Sequence, residues 1–426
     1  MVKVGHPVFV EWKWSEDLKS GFVSILGRPN AGKSTLLNAL VGEKVAIVTS
    51  KPQTTRNRIT GVLEVPAGKG KPAAQIVFVD TPGVHKPGTQ LDRRMMQEVY
   101  DALETRDVVI LLADASREMQ LEKVIEPEVA RDEAEKVEIP DEAGEEHTSG
   151  AKAPLLVGDL MPGINPRPTS NPSATSENTR SSSARGGWRS EDEFVLGLVR
   201  KLDCPVFLVI NKIDLVRREE LLPLIDGLMK QFAFAEVIPV SARKRDGLGA
   251  LIEKLVEYLP AGERYFPPEQ FTDQPERFLV AELIRERILM ETGEEVPYAA
   301  AVVIEKFEEP APVAGKPKKP RPLKGGGFAE LKLPVTNISA VIYCEREGQK
   351  AILIGKQGAK LKAIGTGARK EIESLLGTRV YLELHVIVEP GWRESRGFID
   401  TLDWRKQLED MAARQAGEDE DGSGSI

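Results

Sequence analysis

The sequence predicts an α/β fold with a mostly parallel sheet, followed by a smaller α+β unit, and three observations carry that expectation. Residues 22–40 read as an apolar strand, a glycine-rich turn and a helix. Four further apolar strands, at residues 75–79, 108–113, 205–210 and 237–239, alternate with helical patterns such as 91–103 and 248–258; such alternation builds parallel sheets flanked by helices. Beyond residue 278 the order becomes α-β-β-α-α-β: helix 278–292, strands 299–307 and 337–345, a helix, a turn, a helix over 359–376, and strand 380–388.

A chain of 426 residues is long for one domain and suits two or three. The expected division is an extension over 1–19, an α/β domain over 20–262, a linker over 263–277, the α+β domain over 278–400 and a tail over 401–426. Residues 117–189 begin acidic and end rich in Ser, Asn, Pro and Gly, a composition that buries too little apolar surface to offset ordering. They read as a surface insertion, with 155–161 its one piece apolar enough to dock. Residues 310–327, rich in Pro, Lys and Gly, read as an extended loop. The aromatic alternation at 9–14 is an added strand or an untidy extension.

Hydrophobic residues make up 41% and charged residues 29% of the chain, close to globular averages. Two distant cysteines, Cys204 and Cys344, read as buried thiols in a reducing compartment. With no long apolar run and no basic start before an apolar core, neither a spanning helix nor a secretory signal is expected; a cytosolic location follows. The net charge of -8 sums segments of opposite character and decides little about partners.

Gly27-Arg28-Pro29-Asn30-Ala31-Gly32-Lys33-Ser34 fits G-x-x-x-x-G-K-[ST] between a strand and the helical stretch 33–40, the context in which this phosphate-binding loop works, and Thr35 is counted with the nucleotide-binding residues. Its glycines let the backbone wrap phosphate oxygens, Lys33 reaches the terminal phosphates, and Ser34 ligates Mg2+. Asp80-Thr81-Pro82-Gly83 follows the next strand, where Asp80 can hold Mg2+ through water and the Gly83 N–H can meet a γ-phosphate. Asn211-Lys212-Ile213-Asp214 follows a later strand. In GTPases a carboxylate here accepts from guanine N1 and its 2-amino group, which adenine cannot offer, so GTP and GDP are the expected ligands. Ser241-Ala242-Arg243 completes the set, with the Ala242 N–H placed to reach guanine O6. In the basic loop 51–58, Thr55 is the expected Mg2+ and γ-phosphate ligand, with Thr54 adjacent as the alternative. Catalysis falls to Lys33, Thr55 and Gly83. After Gly83 comes Val84, where Ras-type GTPases carry the glutamine that orients water, so turnover is expected to be slow without a partner.

Gly355-Lys356-Gln357-Gly358 sits at the turn of the paired helices and has the form of a GXXG loop, which lets a nucleic-acid backbone approach closely. Lys350, Lys356, Lys360, Lys362, Arg369 and Lys370 surround it with no acid before Glu371. This patch is basic inside an acidic chain and points to RNA. No histidine shows metal-ligand spacing.

The phosphate loop, the Gln53-Thr54-Thr55-Arg56 loop, Asp80 through His85, and Glu345-Arg346-Glu347-Gly348-Gln349-Lys350 through Lys370 resemble the Era family of ribosome-assembly GTPases over about residues 20–396. That resemblance implies a P-loop GTPase domain followed by a type-II KH domain. It also implies Mg2+ as cofactor and RNA contact by Ile354, Gly355, Lys356, Gly358 and Lys362. The implied partner is 16S rRNA near its 3′ end in the 30S subunit, bound by a monomer, with no DNA. Asn30 matches the asparagine that helps hold K+ in GTPases with G-x-P-N-x-G-K-S loops; a plain loop asparagine is the alternative. Family members are also described as peripheral to the inner membrane, which this composition neither supports nor opposes. Trp392, Arg393 and Arg396 are candidates to stack on or pair with RNA, with a helix-capping or packing role as the alternative for Trp392. Two other functions compete: a related TrmE-Era-type GTPase of tRNA modification, and an RNA-binding scaffold with a degenerate nucleotide site.

Overall fold

The computed structural model describes residues 18–68, 70–84, 88–117, 191–293, 296–310 and 334–407. The expectations for residues 1–17 of the N-terminal extension, nearly all of 117–189, the loop 310–327 beyond its first residue, the end of the tail and His85 lie outside the described residues.

The chain runs β1 (Lys19–Gly27), α1 (Lys33–Val41), β2 (Ile59–Val65), β3 (Ala74–Asp80), α2 (Gln90–Glu104), β4 (Val108–Asp114), α3 (Glu191–Val199), β5 (Val206–Asn211), α4 (Arg218–Met229), β6 (Glu236–Pro239) and α5 (Leu248–Tyr258). These strands form a six-stranded sheet in the order β2-β3-β1-β4-β5-β6, parallel except for β2. Every residue of β3 and β5 is buried, as expected for strands covered by helices on both faces. One apolar cluster packs α1 and α5 on one face, and a second packs α2, α3 and α4 on the other.

Register places the motifs. Ile25 pairs with Asp80 and Asp114 with Asn211, so the phosphate loop, Asp80 and Asn211 all leave the carboxyl edge of the sheet, where ligands bind in open α/β folds.

The second part comprises α6 (Glu276–Glu291), α7 (Val296–Ala299), β7 (Ala301–Glu308), β8 (Val335–Cys344), α8 (Glu347–Ile354), α9 (Ala359–Leu376), β9 (Arg379–Val388) and α10 (Arg396–Thr401). Its sheet is β7-β8-β9, with β7 antiparallel and β9 parallel to β8, and α6 and α9 share its core. This is the expected α+β order.

Four local expectations change. Residue 299 ends the short helix α7 rather than opening a strand. β2 and α4 appear where no element was expected; α4 carries Pro223 inside and buries only Leu228 fully, so its apolar period is faint. Cys344 is buried, but Cys204 is only half-buried. The segment after α5 is no free linker: Phe271 O accepts the Val62 N–H at 2.9 Å, Thr272 Oγ1 donates to Thr60 O at 2.8 Å, and Gln75 Oε1 accepts the Tyr265 and Phe266 N–H groups. It covers the exposed edge of β2, which otherwise would leave backbone donors unpaired.

Candidate nucleotide site and nucleic-acid interface

At the end of β1 the backbone turns through left-handed residues Asn30 (φ 62°) and Gly32 (φ 97°). A Cβ on Gly32 would stand 2.3 Å from Asn211 Nδ2, so only glycine fits there. Asn211 explains the closeness: Nδ2 donates to Ala31 O at 2.9 Å, and Oδ1 accepts the Ala242 N–H at 3.0 Å. Lys212 Nζ donates to Asn30 O at 2.8 Å and pairs with Asp114 at 2.6 Å. These two side chains staple the phosphate loop to its neighbours. The Ala242 N–H, expected to face guanine, is engaged by Asn211 instead. Ser241 Oγ donates to Asp214 Oδ1 at 2.7 Å and holds that carboxyl below the usual range, keeping it an anion able to accept from a base.

Three oxygen-bearing side chains meet beneath the loop. Ser34 Oγ donates to Asp80 Oδ2 at 2.7 Å and lies 2.8 Å from Thr55 Oγ1, which is 3.4 Å from the same carboxylate oxygen. Asp80 Oδ1 is buried without a hydrogen-bond partner among the described residues. Two hydroxyls and a carboxylate with a spare oxygen make a hard donor set of the kind Mg2+ takes. Thr54 turns elsewhere: its Oγ1 meets Thr49 Oγ1 at 2.8 Å and Lys51 O at 2.7 Å.

Lys33 Nζ donates to Gly27 O and Arg28 O, both at 3.0 Å. Burial lowers its ammonium to about 8, opposed by Asp80, while burial raises the Asp80 carboxyl to about 6, opposed by Lys33. Both charges are costly in this pocket.

Other expected residues take packing parts. Thr81 is fully buried and donates to Ile25 O at 2.8 Å; Val84 is buried in the α2–α4 core, its N–H 3.4 Å from Gly27 O. Gly83 faces Pro29, its Cβ position 2.9 Å from Pro29 Cα. Arg28 reaches to α3, pairing with Glu191 at 3.1 Å and Asp192 at 2.9 Å. Pro29, Thr35 and Gly83 line the same cleft as Lys33 and Thr55, while Arg243 is exposed. Asn30 Nδ2 donates to Ser50 O at 3.0 Å, tying the phosphate loop to the loop that bears Thr55.

In the second part, Gly355 ends α8 at φ 71°, ψ 176°, a conformation open only to glycine, and Gly358 (φ 76°, ψ 8°) starts α9. Lys356, Lys362 and Arg369 are exposed; Lys350, Ile354 and Lys360 are half-buried. Ile352, 47% exposed, adds an apolar neighbour from the continuous apolar run 351–354. Trp392 is wholly buried, its Nε1 donating to Ala299 O at 2.9 Å, and Arg393 pairs with Glu345 at 2.5 Å; of the two roles open to Trp392, it packs.

Long-range contacts that the sequence leaves invisible join the two parts. Lys44 bridges Glu286 and Glu371 at 2.5 and 2.6 Å, Glu286 Oε1 accepts the Val48 N–H at 2.9 Å, Lys51 caps the end of α6 at Leu289 O and Thr292 O, and Arg285 donates to Thr54 O. The loop carrying Thr55 is thus docked on α6.

The family model described as "50S ribosome-binding GTPase" matches residues 22–139, one described as "Elongation factor Tu GTP binding domain" matches 182–261, and one described as "KH domain" matches 326–393. The chain is 37% identical over 394 residues to GTPase Era of Heliobacterium modesticaldum, covering 92% of this chain and all of that one. It is 36% identical over 374 residues to GTPase Era of Syntrophus aciditrophicus, covering 88% and 91%. Among solved structures it resembles a variant of Aquifex aeolicus Era bound to GDP·AlF4− (TM-score 0.65, 33% identity, 91% of this chain and 99% of that one). An Era complex with MgGDPNP and nucleotides 1506–1542 of 16S ribosomal RNA is as similar (TM-score 0.65, 32% identity, 91% and 99%). With a P-loop α/β part, a KH part and full-length relatives at this identity, the chain belongs to the Era family of GTPases.

Proposed function

We propose that this protein hydrolyses GTP in a Mg2+-dependent manner and binds 16S rRNA near its 3′ end through its KH part, as a monomer, during assembly of the 30S subunit. The observation that carries the reading is the convergence of Ser34, Asp80 and Thr55 beneath the phosphate loop, in a chain whose basic GXXG helix pair is built on the same α6 that docks the Thr55 loop.

In this reading Gly27 through Ser34 wrap the phosphates with backbone N–H groups, and Lys33 exchanges its two carbonyl partners for phosphate oxygens, which offsets the cost of burying its charge. Ser34, Thr55 and, through water, Asp80 hold Mg2+, which when bound supplies positive charge against the phosphates. Asp214, kept anionic by Ser241, selects guanine. The Gly83 N–H donates toward the γ-phosphate. Val84 is buried, so attacking water is positioned by backbone groups or by a partner and turnover alone is slow. The Asn30 amide already tethers Ser50, which leaves its Oδ1 as the oxygen for K+. Lys350, Lys356, Lys360, Lys362 and Arg369 meet RNA phosphates while Ile354, Gly355 and Gly358 let the strand approach. A ribosomal substrate places the protein in the cytoplasm.

The test is GTP turnover by the full chain, ATP as control, in potassium and sodium buffers, with and without an oligonucleotide of the 16S rRNA 3′ end. GTP-specific turnover raised by the RNA is expected. No GTP binding would reduce the protein to an RNA-binding scaffold.

A further inference from the structure

A cavity of about 60 Å³ lies between the residue after Thr55, α6, β7 and the segment following α10. Three of its lining side chains are more than nine-tenths buried, Arg56 at 7%, Arg285 at 3% and Trp404 at 7% exposure, and each keeps one nitrogen without a hydrogen-bond partner among the described residues: Arg56 Nε, Arg285 Nη1 and Trp404 Nε1.

The other donors of these arginines are committed. Arg56 Nη1 and Nη2 donate to Ala300 O at 2.8 Å and Tyr298 O at 3.0 Å, and its guanidinium lies 5.6 Å from the Trp392 ring centre. Arg285 holds Glu282 through Nε and Nη2 at 2.8 and 2.6 Å and also donates to Thr54 O. Among the described residues Glu282 is the one carboxylate lining the cavity, against Arg56, Arg285, Arg94 and Arg277. Burial first, and Arg285 second, pull the Arg56 guanidinium down to about 9, so it stays charged at neutral pH beside a like charge. Buried donors left unpaired and unneutralised cations are both expensive.

We propose that this cavity binds a small tetrahedral oxyanion of the phosphate class, at a site separate from the nucleotide. Such an ion offers several acceptor oxygens to these unpaired donors and neutralises Arg56, which, unlike the Glu282-paired Arg285, has no carboxylate partner among the described residues. A water molecule could accept from two of them but brings no charge. The volume admits one such ion; a nucleotide needs a cleft several times larger. Because Arg56 follows Thr55 and Arg285 holds the Thr54 carbonyl, an occupant would tighten the docking of residues 54–56 on α6.

The test uses the full chain saturated with Mg·GDP, so that the phosphate loop is filled, titrated calorimetrically with inorganic phosphate and, separately, with chloride at matched ionic strength. Thermal unfolding is followed in the same samples. Saturable one-site phosphate binding and a rise in Tm, both absent with chloride, are expected. Arg285→Gln should weaken phosphate by about tenfold or more, as loss of a charge-assisted bond does. Trp404→Phe keeps the ring, removes only the donor, and should weaken phosphate several-fold with GDP affinity unchanged; it carries the test if Arg285→Gln does not fold. No saturable phosphate binding, or equal phosphate affinity in wild type and Trp404→Phe, would mean that water suffices there and would overturn the proposal.

Discussion

Replacing Gly358 with aspartate tests the KH surface more cleanly than the more obvious Gly355→Asp. Gly355 lies at φ 71°, ψ 176°, and its Cβ would stand 2.7 Å from Lys360 Cβ and 3.0 Å from Lys360 N. Aspartate there strains the fold by roughly 1–3 kcal/mol before any charge effect. Gly358 sits at φ 76°, ψ 8° with nothing within 4 Å of its Cβ position, a region that Asp tolerates at a cost of about 1 kcal/mol. The new carboxylate faces the strand that Lys356 and Lys362 attract. At ~5 Å from a phosphate its repulsion is about 0.8 kcal/mol in water and about 3 kcal/mol at an effective dielectric of 20, so RNA affinity should fall roughly 4- to 200-fold. Fluorescence anisotropy with a labelled 16S rRNA 3′ oligonucleotide reads the loss. Affinity for a GTP analogue should stay within about twofold and Tm should drop by about 2–4 °C. An intact Gly358→Asp protein that binds the RNA as tightly as wild type would refute the assignment of this loop as the RNA contact.

The two threonines of the first loop should separate: Thr55→Ala should cut Mg2+-dependent GTP turnover by about tenfold or more, whereas Thr54→Ala, whose hydroxyl serves Thr49 and Lys51, should leave it within a few-fold. The reverse ranking in steady-state assays would put the ligand at Thr54. Asp214→Asn should lower GTP affinity by about tenfold or more while raising xanthosine triphosphate affinity, since an amide can donate to the added oxygen of xanthine; competition binding decides, and unaltered GTP affinity would remove Asp214 from the base site. The Asp80 carboxyl, raised by burial from 3.8 to about 6, gives the nucleotide-free fold stability that is present below about pH 4 and lost as pH rises through 6. About two units, a net shift that already includes the opposing attraction to Lys33, amount to roughly 3 kcal/mol. Asp80→Asn should therefore stabilise the nucleotide-free protein more at pH 7.5 than at pH 4.5, and equal Tm changes at the two pH values would contradict the burial cost.

Much of the candidate site is legible because its chemistry sits in short contiguous runs. A phosphate loop must bring glycines, a lysine and a hydroxyl within eight residues of chain, and 27–34 do so on the page of the sequence. The same holds for 80–83, 211–214 and 355–358, each placed after a strand or between helices by hydrophobic period alone. Elements with weak periods escape this reading: the edge strand β2 buries its first four residues in a row, Gly61 among them, instead of alternating, and α4 hides behind Pro223 and a single fully buried residue.

What the sequence determines by itself is the order of elements, the two motif sets and the residue types that make guanine and phosphate chemistry available, all of which depend on neighbours along the chain. Only the tertiary structure brings Thr55, and not Thr54, to Ser34 and Asp80, turns Asn211 and Lys212 into staples of the phosphate loop, buries Trp392, and seats residues 44–56 on α6. It also gathers Arg56, Arg285 and Trp404 around one cavity. The physical reason is separation: Thr54 meets Arg285 across 231 residues and Asn211 meets Ala31 across 180. Hydrogen-bond partners so distant are chosen by packing, which no local pattern encodes.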